Sequence, residues 1–200
     1  MAKRLILFSL PTPTVWNQLE RVIFPDYIPE RVFAYMPSEG DAREINAQFA
    51  PMWEDFAKKF QAKLVIIDNS KRDREAQIEI EKLKSATVLL ITGGNTFKLL
   101  NHLRKSGLDK AIVEFWKKDK IVLAGFSAGA IVVSPSIKTA AIYGDENTPG
   151  LTDISGLGII DFEVWPHYEI NQAQKLADYK STCSHEVTII GNDDVIVIDR

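Results

Sequence analysis

The sequence predicts an α/β protein: a mostly parallel sheet with helices on both faces. Three observations carry this. Short apolar runs recur along most of the chain, the stretches between them have helical spacing, and Gly, Pro or Asn punctuates the boundaries. Strands alternating with helices build βαβ crossovers, and such crossovers make parallel sheets buried on both sides.

The first strand is Leu5 to Ser9, ended by Pro11 and Pro13, and Arg31 to Met36 is the second, closed by Pro37-Ser38-Glu39-Gly40. Asp41 to Phe60 has helical spacing, with Ile45, Phe49, Met52, Trp53, Phe56 and Phe60 on one face. Leu64 to Ile67 is a third strand, and Arg72 to Lys84 a charged helix carrying Ile78, Ile80 and Leu83. Val88 to Ile91 is a fourth strand; Gly93-Gly94-Asn95 and the helix Thr96 to Ser106, stopped by Gly107, follow it. Asp109 to Lys118 is another helix, and Ile121 to Ala124 a further strand. After Ser134 the pattern loosens, and Ile137 to Gly150 reads as mixed and loop-like. A strand-like run then leads into Trp165-Pro166-His167. The chain closes with Glu186 to Ile190 and Val195 to Ile198, which Asp193-Asp194 would join as a hairpin turn. One domain over residues 1–200 is the economical division.

The totals exclude several classes. A net charge of −3 offers no basic stripe for nucleic acid or an anionic membrane. The longest apolar runs fall well short of the ~20 residues that span a bilayer. Leu5 to Phe8 stops too soon for a signal-peptide core and reads as a strand. A single cysteine, Cys183, forms no internal disulfide and builds no thiolate cluster, so the cytoplasm is the default compartment.

Gly125-Phe126-Ser127-Ala128-Gly129 follows the apolar run Ile121 to Ala124 and leads into Ala130-Ile131-Val132-Val133. Strand, sharp turn and short helix with serine at the apex describe a nucleophile elbow, whose glycines avoid clashes at the bend. The Ala128 amide then points to where an oxyanion forms. A serine needs a base, and only three histidines exist. His102 lies in a helix among charged neighbours and reads as a solvated surface residue; His185, ahead of the closing strands, also reads as structural. His167 follows a strand-like run, at the kind of strand end where α/β sheets place their sites. A third group should orient the imidazole. Asp145 and Glu146 rank first, in an irregular segment able to fold back over the site; Asp153, Asp161 and Glu163 stand behind them. Gly93 and Gly94 let backbone amides approach a ligand, with Asn95 or Thr96 capping the helix. In a serine hydrolase they would supply the second oxyanion donor; a plain helix-start turn is the alternative. A phosphate loop is disfavoured because neither Gly-x-Gly-x-x-Gly nor a Walker lysine pattern is present.

Thr92-Gly93-Gly94-Asn95-Thr96-Phe97-Lys98-Leu99-Leu100, Gly125-Phe126-Ser127-Ala128-Gly129-Ala130 and Trp165-Pro166-His167-Tyr168 together resemble the peptidase E family of serine peptidases, which groups aspartyl dipeptidases with cyanophycinases. The resemblance implies a fold like the class I glutamine amidotransferases, a flavodoxin-like three-layer arrangement. It implies Ser127 as nucleophile and His167 as base, with Gly93, Gly94 and Ala128 lining the oxyanion hole. It places the acid between serine and histidine, where Ile142 to Glu146 does not align cleanly. Dipeptides with N-terminal aspartate would be the substrates; Lys138 is the candidate cation for their carboxylate, with Asn95 also on the substrate side. No metal or organic cofactor is implied, and the enzyme would be a monomer or homodimer.

Two other readings compete. An α/β-hydrolase esterase shares Gly-x-Ser-x-Gly but needs more chain after the serine than the 40 residues between Ser127 and His167 allow. A non-catalytic small-molecule binding protein on the same fold would have no reason to keep serine, elbow and histidine.

Overall fold

The computed structural model describes residues 3–24, 30–40 and 43–199, without the side chains of 43–49. The predicted helical-face residues Ile45 and Phe49 lie outside the described side chains. A sheet of six strands runs in the order β3-β2-β4-β5-β1-β8, where β1 is Arg4–Phe8, β2 Val32–Met36, β3 Lys63–Ile66, β4 Val88–Ile91, β5 Val122–Phe126 and β8 Val195–Asp199. All neighbours are parallel except β8, which pairs antiparallel with β1. A separate parallel pair joins β6 (Phe162–Trp165) to β7 (Glu186–Ile189).

The mostly parallel sheet with helices on both faces is therefore present. Side chains of β1 alternate between two cores: Leu5 and Leu7 on one face, Ile6 and Phe8 on the other. Helices α1 (Pro13–Val22) and α2 (Arg43–Lys59) cover the Ile6 face through Val15, Leu19, Trp53 and Phe56. On the Leu5 face lie α3 (Asp73–Lys84), α4 (Thr96–Ser106), α5 (Leu108–Lys117) and α6 (Ala128–Val132), contributing Leu83, Leu99, Leu103, Ile112 and Ile131. A strand buried on both faces has no polar face to show, which is why these strands read as continuous apolar runs.

Two helices escape the apolar-run reading. Pro11 and Pro13 do end β1, but Thr12 caps α1 and Pro13 occupies its first turn, where a missing N–H costs nothing. Helix α7 (Ala173–Thr182) buries only Leu176 and so shows little periodicity. The closing hairpin is not formed. Strand β7 pairs with β6, whereas β8 crosses to the main sheet beside β1, so residues 191–194 link two sheets. Among the described residues no helix is long and apolar enough to cross a membrane.

Candidate active site

Five segments converge at the carboxyl ends of the parallel strands. Ser127 follows β5 directly and adopts φ 50° and ψ −114°, strain that a side chain accepts only when its surroundings hold it. Its amide donates to the carbonyl of Phe8, at the end of β1 (3.1 Å). The flanking glycines are needed for close approach. A Cβ on Gly125 would sit 2.4 Å from the Gly129 carbonyl oxygen, and one on Gly129 2.1 Å from that of Ile91. Any side chain there would push α6 off the sheet and move the serine with it.

Ser127 Oγ lies 2.8 Å from His167 Nε2. His167, just beyond β6, also has positive φ (52°), and its position is fixed through the backbone. The buried hydroxyl of Ser9 accepts from the His167 amide (2.8 Å) and donates to the Ile190 carbonyl (2.9 Å). Tyr168 donates from its amide to the same carbonyl (3.0 Å). The Tyr143 ring stands edge-on to the imidazole, centroids 5.8 Å apart, and burial drives its phenol well above the usual tyrosine range.

The other imidazole nitrogen faces an amide rather than a carboxylate. His167 Nδ1 lies 3.0 Å from Asn192 Oδ1. A carboxamide oxygen accepts only, so Nδ1 carries the proton and Nε2 presents its lone pair to Ser127, the tautomer a general base requires. The turn holding Asn192 is closed by Asp194, whose carboxylate accepts from the Gly191 amide (2.9 Å). It is tied to α1 by the Thr12 hydroxyl, which donates to Asp193 Oδ1 (2.6 Å).

Asp145 and Glu146 do not take the third place. Asp145 Oδ2 accepts from the Thr96 amide (2.8 Å), and the Glu146 carbonyl accepts from Asn95 Nδ2 (3.0 Å). The loop does fold back, but onto the start of α4, where its carboxylate satisfies a helix donor and favours the positive end of the dipole. Asn95 is committed likewise: its Oδ1 accepts from the Lys98 amide (2.9 Å) as the N-cap. Lys138 is exposed beside Pro135, Ser136, Asp153, Glu163 and His185, on the wall of a cavity that does not include Ser127. Glu163 is buried, its carboxylate accepting from the Tyr179 hydroxyl.

His102 departs from the solvated reading. It is half-buried, with Nδ1 3.1 Å from Oδ1 of the fully buried Asn69. Asn192 and Ser9 escape a reading of the sequence because neither is a carboxylate and neither lies between Ser127 and His167. The turn residues 191–194 were the available signal.

Beside the nucleophile, Gly93 and Gly94 link β4 to α4. A Cβ on Gly93 would lie 3.1 Å from Ser127 Cβ, so this backbone rests against the serine. Gly94 has φ +136°, and a Cβ there would overlap the Ser38 hydroxyl.

The model of peptidase family S51 matches residues 25–199. The chain belongs to peptidase family S51. An uncharacterized peptidase of Pasteurella multocida is 26% identical over 187 residues, spanning 87% of this chain and 88% of that relative. Peptidase E of Shigella flexneri is 28% identical over 120 residues, 58% of this chain and 49% of the relative, so the match spans about half of that enzyme. Among solved structures, a putative peptidase E from Listeria monocytogenes superposes with a TM-score of 0.77 at 24% identity, covering 100% of this chain and 95% of that one. A peptidase from an acI-B1 Actinobacterium gives 0.72 at 21% identity, covering 99% and 84%. These superpositions establish the fold. Membership of family S51 makes the chain a serine peptidase of the peptidase E group.

Proposed function

We propose that this S51 peptidase hydrolyses short peptides, dipeptides with N-terminal aspartate first among them, through Ser127, His167 and Asn192. The observation that supports this most is the 2.8 Å approach of Ser127 Oγ to His167 Nε2 at an elbow whose serine has positive φ. In this reading Oγ attacks the scissile carbonyl while Nε2 takes its proton. The imidazolium returns the proton to the leaving amine, and water, activated by the same nitrogen, resolves the acyl-enzyme. Asn192 holds the imidazole in one tautomer and orientation, but as a neutral amide gives the imidazolium no charge partner. Oxyanion donors come from Ala128, whose amide opens α6 and has no intrahelical acceptor, and from the Gly93-Gly94 backbone.

The aspartate preference rests on the resemblance to peptidase E, and Lys138 lines a cavity whose wall does not include Ser127. Lys98, in the first turn of α4 and 3.1 Å from Glu39, stands at the helix end that carries the glycine loop. It is the better candidate to read a substrate carboxylate.

A dipeptide panel with Asp, Glu, Asn and Ala at the first position, assayed with wild type and Ser127→Ala, tests the proposal. Labelling by a fluorophosphonate accompanies it. Expected are label on Ser127 alone, release of amino acids from Asp-X, and loss of both in Ser127→Ala. Turnover that survives Ser127→Ala would overturn the mechanism; preference for Ala-X over Asp-X would overturn the specificity.

A further inference from the structure

Cys183 and His185 take no part in the chemistry above, yet they meet a buried carboxylate. Glu163 lies on β6, four residues before His167, and is 1% exposed. The Tyr179 hydroxyl holds its Oε2, and its Oε1 lies 3.4 Å from His185 Nδ1. Cys183 follows α7 and packs in the small cluster around Trp165 and Tyr179. The ligand atoms of Glu163, Cys183 and His185 all lie within 4.8 Å of one another. This carboxylate, withdrawn from water, is surrounded by a phenol, an imidazole and a thiol rather than by solvent.

We propose that Glu163, Cys183 and His185 form a binding site for a zinc-class divalent cation. A thiolate and an imidazole select zinc over magnesium, calcium or manganese, which prefer oxygen alone. Zinc bonds of about 2.0–2.3 Å place tetrahedral ligands roughly 3.3–3.8 Å apart. The Glu163–His185 pair already has this spacing at 3.4 Å, and with every pair within 4.8 Å the others need close by no more than roughly 1.5 Å. Three protein ligands leave a fourth position for water. A cavity of about 330 Å³, lined by Glu163, Ser184 and His185, gives the ion its path, and Lys138 stands on the same wall. Tyr179 already orients the carboxylate, as outer partners do in metal sites. Binding deprotonates the Cys183 thiol, releasing one proton to solvent. Because β6 pairs with β7, the ion fastens the α7–β7 junction to the strand that delivers His167. Sequence reading missed the site because its ligands are split between residues 163 and 183–185 and only one is a cysteine.

The test uses the full chain, stripped with a chelator and titrated with Co²⁺ and with Zn²⁺. One equivalent should bind, the Co²⁺ form should show a thiolate-to-cobalt charge-transfer band, and Zn²⁺ should slow alkylation of Cys183 and raise the melting temperature. Cys183→Ser should abolish the band. His185→Ala should weaken zinc binding by more than the roughly 10–100-fold that loss of an outer partner costs. Ser127→Ala should bind as wild type, which separates this site from the hydrolytic one. Glu163→Gln disturbs a buried bond and endangers folding, so the more exposed His185 and Cys183 carry the decision. No charge-transfer band in wild type, or zinc affinity unchanged in both Cys183→Ser and His185→Ala, overturns the proposal.

Discussion

Ser9 holds His167 in place from the end of a different strand. Its buried hydroxyl accepts from the His167 amide at 2.8 Å and donates to the Ile190 carbonyl at 2.9 Å. The neighbouring Phe8 carbonyl takes the Ser127 amide, so the end of β1 sets the spacing between the two reacting side chains. Ser9→Ala leaves a buried donor without its partner and weakens an acceptor, a cost of about 1–3 kcal/mol. With His167 free to shift, kcat should fall roughly tenfold or more while KM for the preferred dipeptide stays near wild type. A change confined to melting temperature, with kcat intact, would make Ser9 structural only.

Asn192 has a role that its own substitutions separate. Asn192→Ala removes the acceptor on Nδ1, lets the imidazole turn and change tautomer, and should lower kcat by at least about tenfold. Asn192→Asp keeps the acceptor and adds a charge facing the imidazolium. The protonated imidazole is then favoured, so the acidic limb of the kcat/KM profile should move to higher pH relative to wild type. Measured pH–rate profiles of the three proteins decide this; superimposable profiles for wild type and Asn192→Asp would remove Asn192 from the site.

Much of this was legible in the sequence. Helix α4 runs from Thr96 to Ser106 as expected because Asn95 caps it and Gly107, at φ 77°, stops it. Strands buried on both faces showed as unbroken apolar runs, and the elbow showed through Gly125 and Gly129. What stayed hidden depends on contacts distant along the chain. Nothing local tells Ser9 that its partner is 158 residues away, or tells Asn192 that its turn spans two sheets. A helix such as α7, which buries one residue, leaves almost no pattern to read.

Asp145 tests the difference between a loop that closes over a site and one that braces a helix. Its carboxylate accepts from the Thr96 amide, at the start of α4 and two residues after Gly94. Asp145→Asn keeps an acceptor there and loses only the charge favoured by the helix dipole, about 0.3–1 kcal/mol. Activity should therefore stay within a few-fold of wild type, where an orienting acid of a serine triad costs about 10⁴-fold. Steady-state kinetics beside a thermal melt separates the two, and a loss of several orders of magnitude in kcat would return Asp145 to the chemistry.

His102 supplies a pH test away from the serine. Its Nδ1–H donates to Asn69 Oδ1, while Asn69 Nδ2 donates to the Pro37 carbonyl (2.8 Å), fixing the loop beside the Gly93-Gly94 backbone. Burial chiefly, and then Arg72, lower the imidazole from its ordinary value of 6.5; Lys105 adds to this, and Glu39 and Asp68 pull the other way. As pH falls through 6.5 the unfolded chain takes up its proton first, so folding stability declines until the lowered folded value is reached and then levels off. His102→Gln retains a side-chain donor and has nothing to titrate. The melting temperature of wild type minus that of His102→Gln should be constant above pH 7 and shrink as pH falls below about 6.5. A difference that is flat from pH 8 to 5, or that widens in acid, would show that the folded protein does not resist charging this imidazole.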